Sequence, residues 1–119
     1  MAELFVLAIV AAVAGNMLKT VRGRPEATIN YLESDRLPAK SGVYVVRCKK
    51  DILYVGQSVN VRRRWSGLSH HRIYDCWFAV EEKDQKHLCI DFYPVNKKKL
   101  LDTEQAFINK LNPRLNKRG

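Results

Sequence analysis

The stretch Gly42–Arg64, which reads GVYVVRCKKDILYVGQSVNVRRR, decides the fold of this chain. It contains two short runs of β-branched and aromatic residues, Val43–Val46 and Ile52–Val55, separated by the polar residues 47–51. Apolar runs of this length, bounded by glycine, predict two strands joined as a β-hairpin. Gly56 then ends the second strand.

A short helix is predicted directly after the hairpin. Ser58 can accept a hydrogen bond from a free N–H of the first helical turn, and residues 60–65 continue as that helix. At about 100° per residue, Arg64 lies on the flank of the apolar face of this helix. The hairpin and the helix therefore bring Tyr44, Tyr54 and Arg64 near one another.

The remaining elements predict one domain of the α/β class, in its α+β form. Residues 27–32 predict a short turn or helix, and residues 81–86 a charged turn. Residues 73–80 fit helical and strand periodicity almost equally well, and we take a helix. Residues 88–95 predict the third strand and residues 98–112 the last helix. We therefore expect a small three-stranded antiparallel sheet flanked by helices.

The predicted last helix carries one carboxylate inside its apolar stripe. The stripe consists of Leu100, Leu101, Phe107, Ile108 and Leu111. Glu104 falls in the middle of it. A carboxylate that faces a core costs several kcal/mol unless it is paired, protonated or bound to a metal. A salt bridge to a neighbouring arginine and a metal ion would both meet that requirement.

The charge of the chain is strongly basic and unevenly distributed. Its 119 residues include 21 Lys and Arg against 12 Asp and Glu, a formal net charge of +9. Residues 40–72 hold eight basic residues and one acid, whereas residues 73–96 hold five acids and two lysines. A field of this sign favours polyanions such as nucleic acid or an anionic membrane surface.

The N-terminal residues 1–24 are predicted to be separate from the domain, which we place at residues 25–119. Leu4–Leu18 is apolar on all sides but shorter than the about 20 residues that span a bilayer. It fits a short membrane anchor, a signal peptide without the usual positive start, or an accessory helix buried on the domain or in a dimer. We favour the accessory helix, which leaves membrane contact through residues 4–18 open.

The three cysteines, Cys48, Cys76 and Cys89, are an odd number without CxxC spacing. This pattern predicts neither a disulfide framework nor a zinc site. Buried free thiols indicate a reducing compartment, so we expect a cytoplasmic protein, associated with the nucleoid if it is bacterial.

The hairpin and the arginine after it resemble the catalytic core of the GIY-YIG nuclease superfamily. In that family the first strand carries Gly-Ile/Val-Tyr, here Gly42–Tyr44, and the second carries Tyr-Ile/Val-Gly, here Tyr54–Gly56. An arginine follows on the first helix ten residues after the second tyrosine, and that position is Arg64. The resemblance covers residues 38–116 and ends on residues 113–116, which are similar to the usual Asn-Pro-x-Leu-Asn ending.

This resemblance implies a DNA endonuclease that hydrolyses phosphodiester bonds with a single Mg²⁺ or Mn²⁺ ion. The implied catalytic residues are Tyr44, Tyr54, Arg64, His70, His71, Glu104 and Asn116. Tyr44 is implied as general base, Arg64 as the cation on the phosphate and Glu104 as the metal ligand. The two histidines come about two positions later than the commonest family spacing, so which of them takes part, if either, stays open.

Basic side chains outside this set are predicted to bind flanking phosphates. They are Arg62, Arg63, Lys97, Lys98 and Lys99. Such contacts give affinity without reading the base sequence. We therefore expect a targeting partner protein or a homodimer to supply specificity. The alternative function is a non-catalytic nucleic-acid-binding module on the same fold.

Overall fold

The computed structural model describes residues 24–66 and 72–116. Its four strands are β1 (Ala27–Asn30), β2 (Gly42–Cys48), β3 (Asp51–Ser58) and β4 (Leu88–Pro94). They form one antiparallel sheet in the order β1-β4-β2-β3. The α-helices are α1 (Val61–Ser66), α2 (Arg72–Phe78) and α3 (Leu100–Leu111). Short 3₁₀ helices cover Tyr31–Arg36, Glu82–His87, Lys97–Lys99 and Arg114–Asn116.

The α+β class and the flanking helices are confirmed, but the prediction of three strands misses β1. The turn or helix predicted over residues 27–32 is observed only from Tyr31, because Ala27–Asn30 pair with β4. A strand of four residues shows too little alternation to be recognised locally, and its partner lies about 60 positions later. The fourth strand therefore follows from long-range pairing.

Both faces of the sheet are covered by helices, so the described residues form two apolar cores. The tyrosine core, on the side of α1 and α2, includes Tyr31, Leu37, Tyr44, Val46, Leu53, Val61, Trp65, Ile90 and Phe92. The α3 core, on the opposite side, includes Val43, Val45, Val55, Tyr93, Val95, Leu100 and Phe107. Because β2 is central and buried on both faces, its sequence reads as an unbroken apolar run.

A bulge in β3 breaks the alternation of side chains between Leu53 and Tyr54. The register of the β2–β3 pair shifts between Val46 and Arg47, which leaves Leu53 as an extra residue on β3. Leu53 and Tyr54 consequently both contact the tyrosine core, although they are consecutive. A bulge re-aims side chains in this way. Tyr54 pairs with Val46 and therefore lies on the same side of the sheet as Tyr44.

The connection between β2 and β3 is shorter than predicted. The strands continue to Cys48 and begin again at Asp51, so only Lys49 and Lys50 link them. Lys49 takes a left-handed conformation with φ of 57°. Such a conformation is uncommon for a residue with a side chain, and here it allows the tight reversal.

The helices after the hairpin follow the sequence pattern in type, with differences at their ends and at Leu101. The helix predicted over residues 73–80 is confirmed up to Phe78, where α2 ends, and the predicted charged turn forms the 3₁₀ helix Glu82–His87. The predicted last helix begins with a 3₁₀ turn and continues as α3. The assignment of Leu101 to the apolar stripe is wrong, because Leu100 occupies the inward position and Leu101 is 69% exposed.

Among the helices that the structure describes, none is both long and apolar enough to cross a membrane. The apolar segment Leu4–Leu18 lies outside the described residues. The domain boundary after residue 24 and membrane contact through residues 4–18 stay predictions.

Candidate active site

Helix α1 is capped by a different residue from the one predicted. The side chain of Asn60 accepts the N–H of Arg63 at 3.0 Å, as an N-cap residue does. Ser58 instead accepts the N–H of Asn60 at 3.1 Å, in a local turn before the helix. The prediction of Ser58 as the cap is therefore wrong by two positions, because both residues have capping side chains.

Residues 37–41, which we call the junction loop, connect the elements that carry the candidate site. The N–H groups of Val61 and Arg62, in the first turn of α1, donate to carbonyl oxygens of this loop at 3.0 and 3.1 Å. The N–H of Val95 donates to the carbonyl of Ser41 at 3.2 Å, and the Ser41 hydroxyl donates to the Val95 carbonyl at 2.6 Å. The loop thus ties α1 to the start of β2 and to the end of β4.

Tyr44 lies at the centre of the site and is only 1% exposed. Its ring centroid is 6.3 Å from that of Tyr54 and 5.5 Å from that of Trp65, which it meets edge to face. Gly56 stands opposite Tyr44 on β3, and a Cβ at this glycine would overlap the ring and the hydroxyl of Tyr44. The glycine of the second tripeptide therefore makes room for the tyrosine of the first.

The electrostatic surroundings of Tyr44 bring four predicted residues together. Burial raises the pKa of Tyr44, and Tyr54 raises it further. A hydrogen bond from the side chain of Arg64 and the charge of that guanidinium lower it, whereas the carboxylate of Glu104 raises it. The net pKa lies above the ordinary value of 10.0, so Tyr44 is a neutral phenol at pH 7. The guanidinium of Arg64 favours the phenolate form of Tyr44, as expected, but burial has the larger effect on the pKa.

Glu104 is half-buried on α3, and burial raises its pKa. Its carboxylate has no salt bridge with any of the residues 24–66 and 72–116, so the salt-bridge alternative is not observed there. The same residues contain no group of three or more acidic, His or Cys side chains that could hold a metal. An unpaired carboxylate fits Mg²⁺, which is usually held by one or two carboxylates and completes its coordination with water and substrate phosphate.

Asn116 supports the edge strand next to Tyr54. Its side-chain oxygen accepts the N–H of Val55 at 2.7 Å, and its amide nitrogen donates to the carbonyl of Val55 at 2.9 Å. β3 is an edge of the sheet, so these two bonds satisfy backbone groups that have no neighbouring strand. Asn116 therefore fixes the backbone between Tyr54 and Gly56.

The predicted phosphate-binding side chains have different surroundings. The Nε–H of Arg62 donates to the carbonyl of Leu37 at 2.6 Å. Arg63 is exposed, and within the described part of the chain its side chain makes no hydrogen bond or salt bridge. Lys97–Lys99 are also exposed, in a 3₁₀ turn where the side chain of Asn96 accepts the N–H of Lys98 at 2.9 Å. Arg63 and these lysines are thus free to meet a polyanion.

The structure brings Tyr44, Tyr54, Arg64 and Glu104 together, and Asn116 contacts the strand that carries Tyr54. His70 and His71 lie outside the described residues, and their participation stays a prediction. Sequence reasoning missed the contact of Ser41 that builds the junction loop, because it joins residues 54 positions apart. The only local signal was the Leu-Pro and Ser-Gly composition of that loop.

Solved structures with the same fold include those of the GIY-YIG N-terminal endonuclease domain of UvrC from Thermotoga maritima. A tyrosine-to-phenylalanine mutant bound to its catalytic divalent cation is 18% identical, with a TM-score of 0.56 over 73% of this chain and 93% of that one. The magnesium-bound domain is 17% identical, with a TM-score of 0.56 over 72% and 93%. An asparagine-to-alanine mutant bound to its cation is 17% identical, with a TM-score of 0.55 over 73% and 93%. At these identities the likeness concerns the fold.

Comparison with curated protein sequences finds no match. Comparison with family models gives a match to the GIY-YIG catalytic domain over residues 40–118, which is more than half of the chain. This range contains both tripeptides, Arg64, Glu104 and Asn116. The chain therefore belongs to the GIY-YIG nuclease family.

Proposed function

We propose that this chain is a metal-dependent endonuclease that hydrolyses phosphodiester bonds in DNA. One observation carries the proposal: the buried Tyr44 packs beside Tyr54, and its pKa responds to the guanidinium of Arg64 and to the carboxylate of Glu104, which has no salt bridge among the described residues. A carboxylate next to a buried tyrosine does not stabilise the packing of the core, because burial makes a negative charge on either group unfavourable. Hydrolysis of a phosphodiester does use such groups.

Tyr44 is the proposed general base toward the attacking water. Since burial raises its pKa, the phenol needs positive charge nearby before it can give up its proton near neutrality. Arg64 supplies one such charge. A Mg²⁺ or Mn²⁺ ion held by Glu104 and water would supply more, and it would also neutralise the phosphate.

Arg64 is the proposed cation on the scissile phosphate. Its guanidinium offers five donors in a fixed plane, which match two phosphate oxygens at once. One hydrogen bond to Tyr44 leaves other donors for the substrate, and the side chain is exposed. The same group therefore links the base to the phosphate that is attacked.

Tyr54 and Asn116 have supporting roles in this proposal. Tyr54 is half-buried beside Tyr44 and is placed to orient water through its hydroxyl. Asn116 keeps β3 in place through Val55. His70 or His71 would add a further hydrogen bond to the water or the phosphate.

DNA is the proposed substrate, and binding is proposed to depend on charge. Arg63 and Lys97–Lys99 are exposed cations without partners in the described residues, on a chain with a formal net charge of +9. Contacts with phosphates position a duplex but carry no base specificity. We therefore propose that a targeting partner or a homodimer selects the site, in a reducing compartment such as the cytoplasm.

Nicking of supercoiled plasmid tests the enzyme against the alternative of a non-catalytic binding module. Wild type should nick in Mg²⁺ and not in EDTA. Arg64→Ala and Glu104→Gln should each lose about 100-fold or more, the size expected when a charge-stabilising group is removed. Lys50→Gln, in the exposed hairpin link, should match wild type. Binding without nicking by the wild type in Mg²⁺ or Mn²⁺ would establish the alternative.

A further inference from the structure

We propose that Arg62 is a positioning residue, which fixes α1 on the junction loop and so holds the guanidinium of Arg64 against Tyr44. This role differs from the phosphate contact that the sequence predicts for Arg62. It rests on the proposed endonuclease function, because its purpose is to place the arginine that meets the phosphate.

The contact that carries the proposal is the hydrogen bond from the Nε–H of Arg62 to the carbonyl of Leu37, at 2.6 Å. Leu37 is fully buried in the tyrosine core, so its carbonyl is a fixed point rather than part of a mobile surface. Two backbone bonds from the first turn of α1 reach the same loop. The side-chain bond of Arg62 is thus the third bond that joins α1 to the junction loop.

α1 depends on this anchoring because it is only six residues long. A helix of that length is not stable in water without tertiary contacts. Its orientation is therefore set by the groups that it touches: the buried side chains of Val61 and Trp65 on one face, and the junction loop at its N-terminus. Losing a contact at the N-terminus allows the helix to tilt or rotate.

The helical geometry gives Arg62 and Arg64 different tasks. Residues two positions apart point about 200° apart around a helix, on nearly opposite sides. Arg62 reaches the carbonyl of Leu37, whereas Arg64 reaches the hydroxyl of Tyr44. Arg63, between them, is exposed and makes no side-chain bond among the described residues, so it is the better candidate for a phosphate contact.

Separate measurements of single-turnover cleavage and of DNA affinity test whether Arg62 positions α1 while Arg63 binds phosphate. Arg62→Gln should lower the cleavage rate at saturating enzyme by about 10- to 100-fold, the size expected when a reacting group is misplaced by about 1 Å. Its affinity for DNA and the salt dependence of that affinity should stay within twofold of those of Lys50→Gln, a control with the same loss of charge. Arg63→Gln should instead weaken binding and reduce the salt slope by about one.

Arg62→Lys adds a variant that keeps the charge. Lysine places a methylene where arginine has Nε, so it loses the bond to Leu37 while it can still meet a phosphate as a point charge. We expect Arg62→Lys to remain as slow as Arg62→Gln. Restoration of the wild-type rate by lysine, or a loss of affinity in Arg62→Gln equal to that of Arg63→Gln, would overturn the proposal.

A spectroscopic measurement separates failure of this proposal from failure of the endonuclease function. In ¹⁵N-labelled protein, the Nε–Hε signal of Arg64 is identified by its loss in Arg64→Gln. In Arg62→Gln this signal should shift toward the position of a free arginine, whether or not the protein cleaves DNA. An unchanged Arg64 signal in a folded Arg62→Gln variant would refute the positioning role. An inactive wild type would refute only the endonuclease.

Discussion

Gly56 shows how one residue without a side chain makes the centre of the site possible. A Cβ at this position would overlap the ring and hydroxyl of Tyr44, and β3 cannot move away without losing its pairing with β2. Overpacking of this kind costs about 1–3 kcal/mol. Gly56→Ala should therefore lower the free energy of unfolding by that amount in urea denaturation, whereas Val59→Ala at an exposed site should change it by about 0.5 kcal/mol or less.

The same assay can test whether the ring of Tyr44 is the group that the new methyl group overlaps. If the ring of Tyr44 is responsible, Gly56→Ala should cost less in a Tyr44→Leu background than in wild type. An equal cost in both backgrounds would assign the effect to the backbone of β3 instead.

The burial of Glu104 predicts how the stability of the folded protein depends on pH. Its pKa is raised above the about 4.3 of an unfolded glutamate, so the folded state holds the proton more tightly. Folding therefore becomes less favourable as the pH rises from the pKa of Glu104 in the unfolded state to its pKa in the folded state. Above the folded-state pKa, the native state contains a half-buried charge, which lowers its stability. In EDTA, Glu104→Gln should therefore be more stable than wild type at pH 7, with the difference vanishing near pH 4.

Magnesium should reverse this order at pH 7. An ion that binds only the folded wild type raises its melting temperature by mass action, whereas Glu104→Gln should not respond. The readout is thermal unfolding by circular dichroism over a Mg²⁺ titration. Equal stabilisation of both proteins would show that the ion binds elsewhere.

At the scale of elements, the 3₁₀ turn Arg114–Asn116 protects the edge of β3. Without the side chain of Asn116, the N–H and carbonyl of the buried Val55 lose both partners. Leaving such groups unsatisfied costs about 1–3 kcal/mol. Asn116→Ala should therefore accelerate hydrogen exchange at the amide of Val55, and Asn109→Ala on the exposed side of α3 should not. An equally protected Val55 amide in Asn116→Ala would contradict the bracing role.

The elements also show which parts of the fold the sequence predicts. The β2–β3 hairpin and the last helix follow from local periodicity, and their predicted bounds agree with the observed ones within a few residues. β1 is too short for its pattern to stand out and depends on pairing with β4. The bulge at Leu53 is not predicted for the same reason, since strict alternation would put Leu53 and Tyr54 on opposite faces.

Some contacts of the candidate site can likewise be predicted from the sequence, and others cannot. Tyr44, Tyr54 and Arg64 follow from their spacing in one compact segment, and Glu104 follows from an apolar stripe that a carboxylate interrupts. Arg62 bonds to the backbone of Leu37, and Asn116 bonds to the backbone of Val55. Both contacts join residues that are distant in the sequence. Backbone carbonyls and amides carry no sequence signal, so these contacts require the structure.

At the scale of the whole molecule, the two ends of the sheet differ in charge. Cys48 pairs with Leu88 at the hairpin end, and Gly42 pairs with Pro94 at the other, which we call the site end. At about 3.3 Å per residue these ends are roughly 20 Å apart. At the hairpin end, Lys49 lies 3.5 Å from the carboxylate of Asp84. At the site end, Lys97–Lys99 follow β4 and have no salt bridge among the described residues.

This polarity predicts where DNA binds, independently of catalysis. Each phosphate contact releases counterions, so the logarithm of the affinity falls linearly with that of the salt concentration, by about 0.9 per contact. Replacing Lys97–Lys99 with glutamine at the site end should reduce this slope by up to about three. Replacing Lys50, Lys83 and Lys86 removes the same charge at the hairpin end and should leave the slope nearly unchanged. Equal reductions in both triple variants, in fluorescence anisotropy on the same duplex, would show that net charge alone attracts DNA and that the site end has no special part in binding.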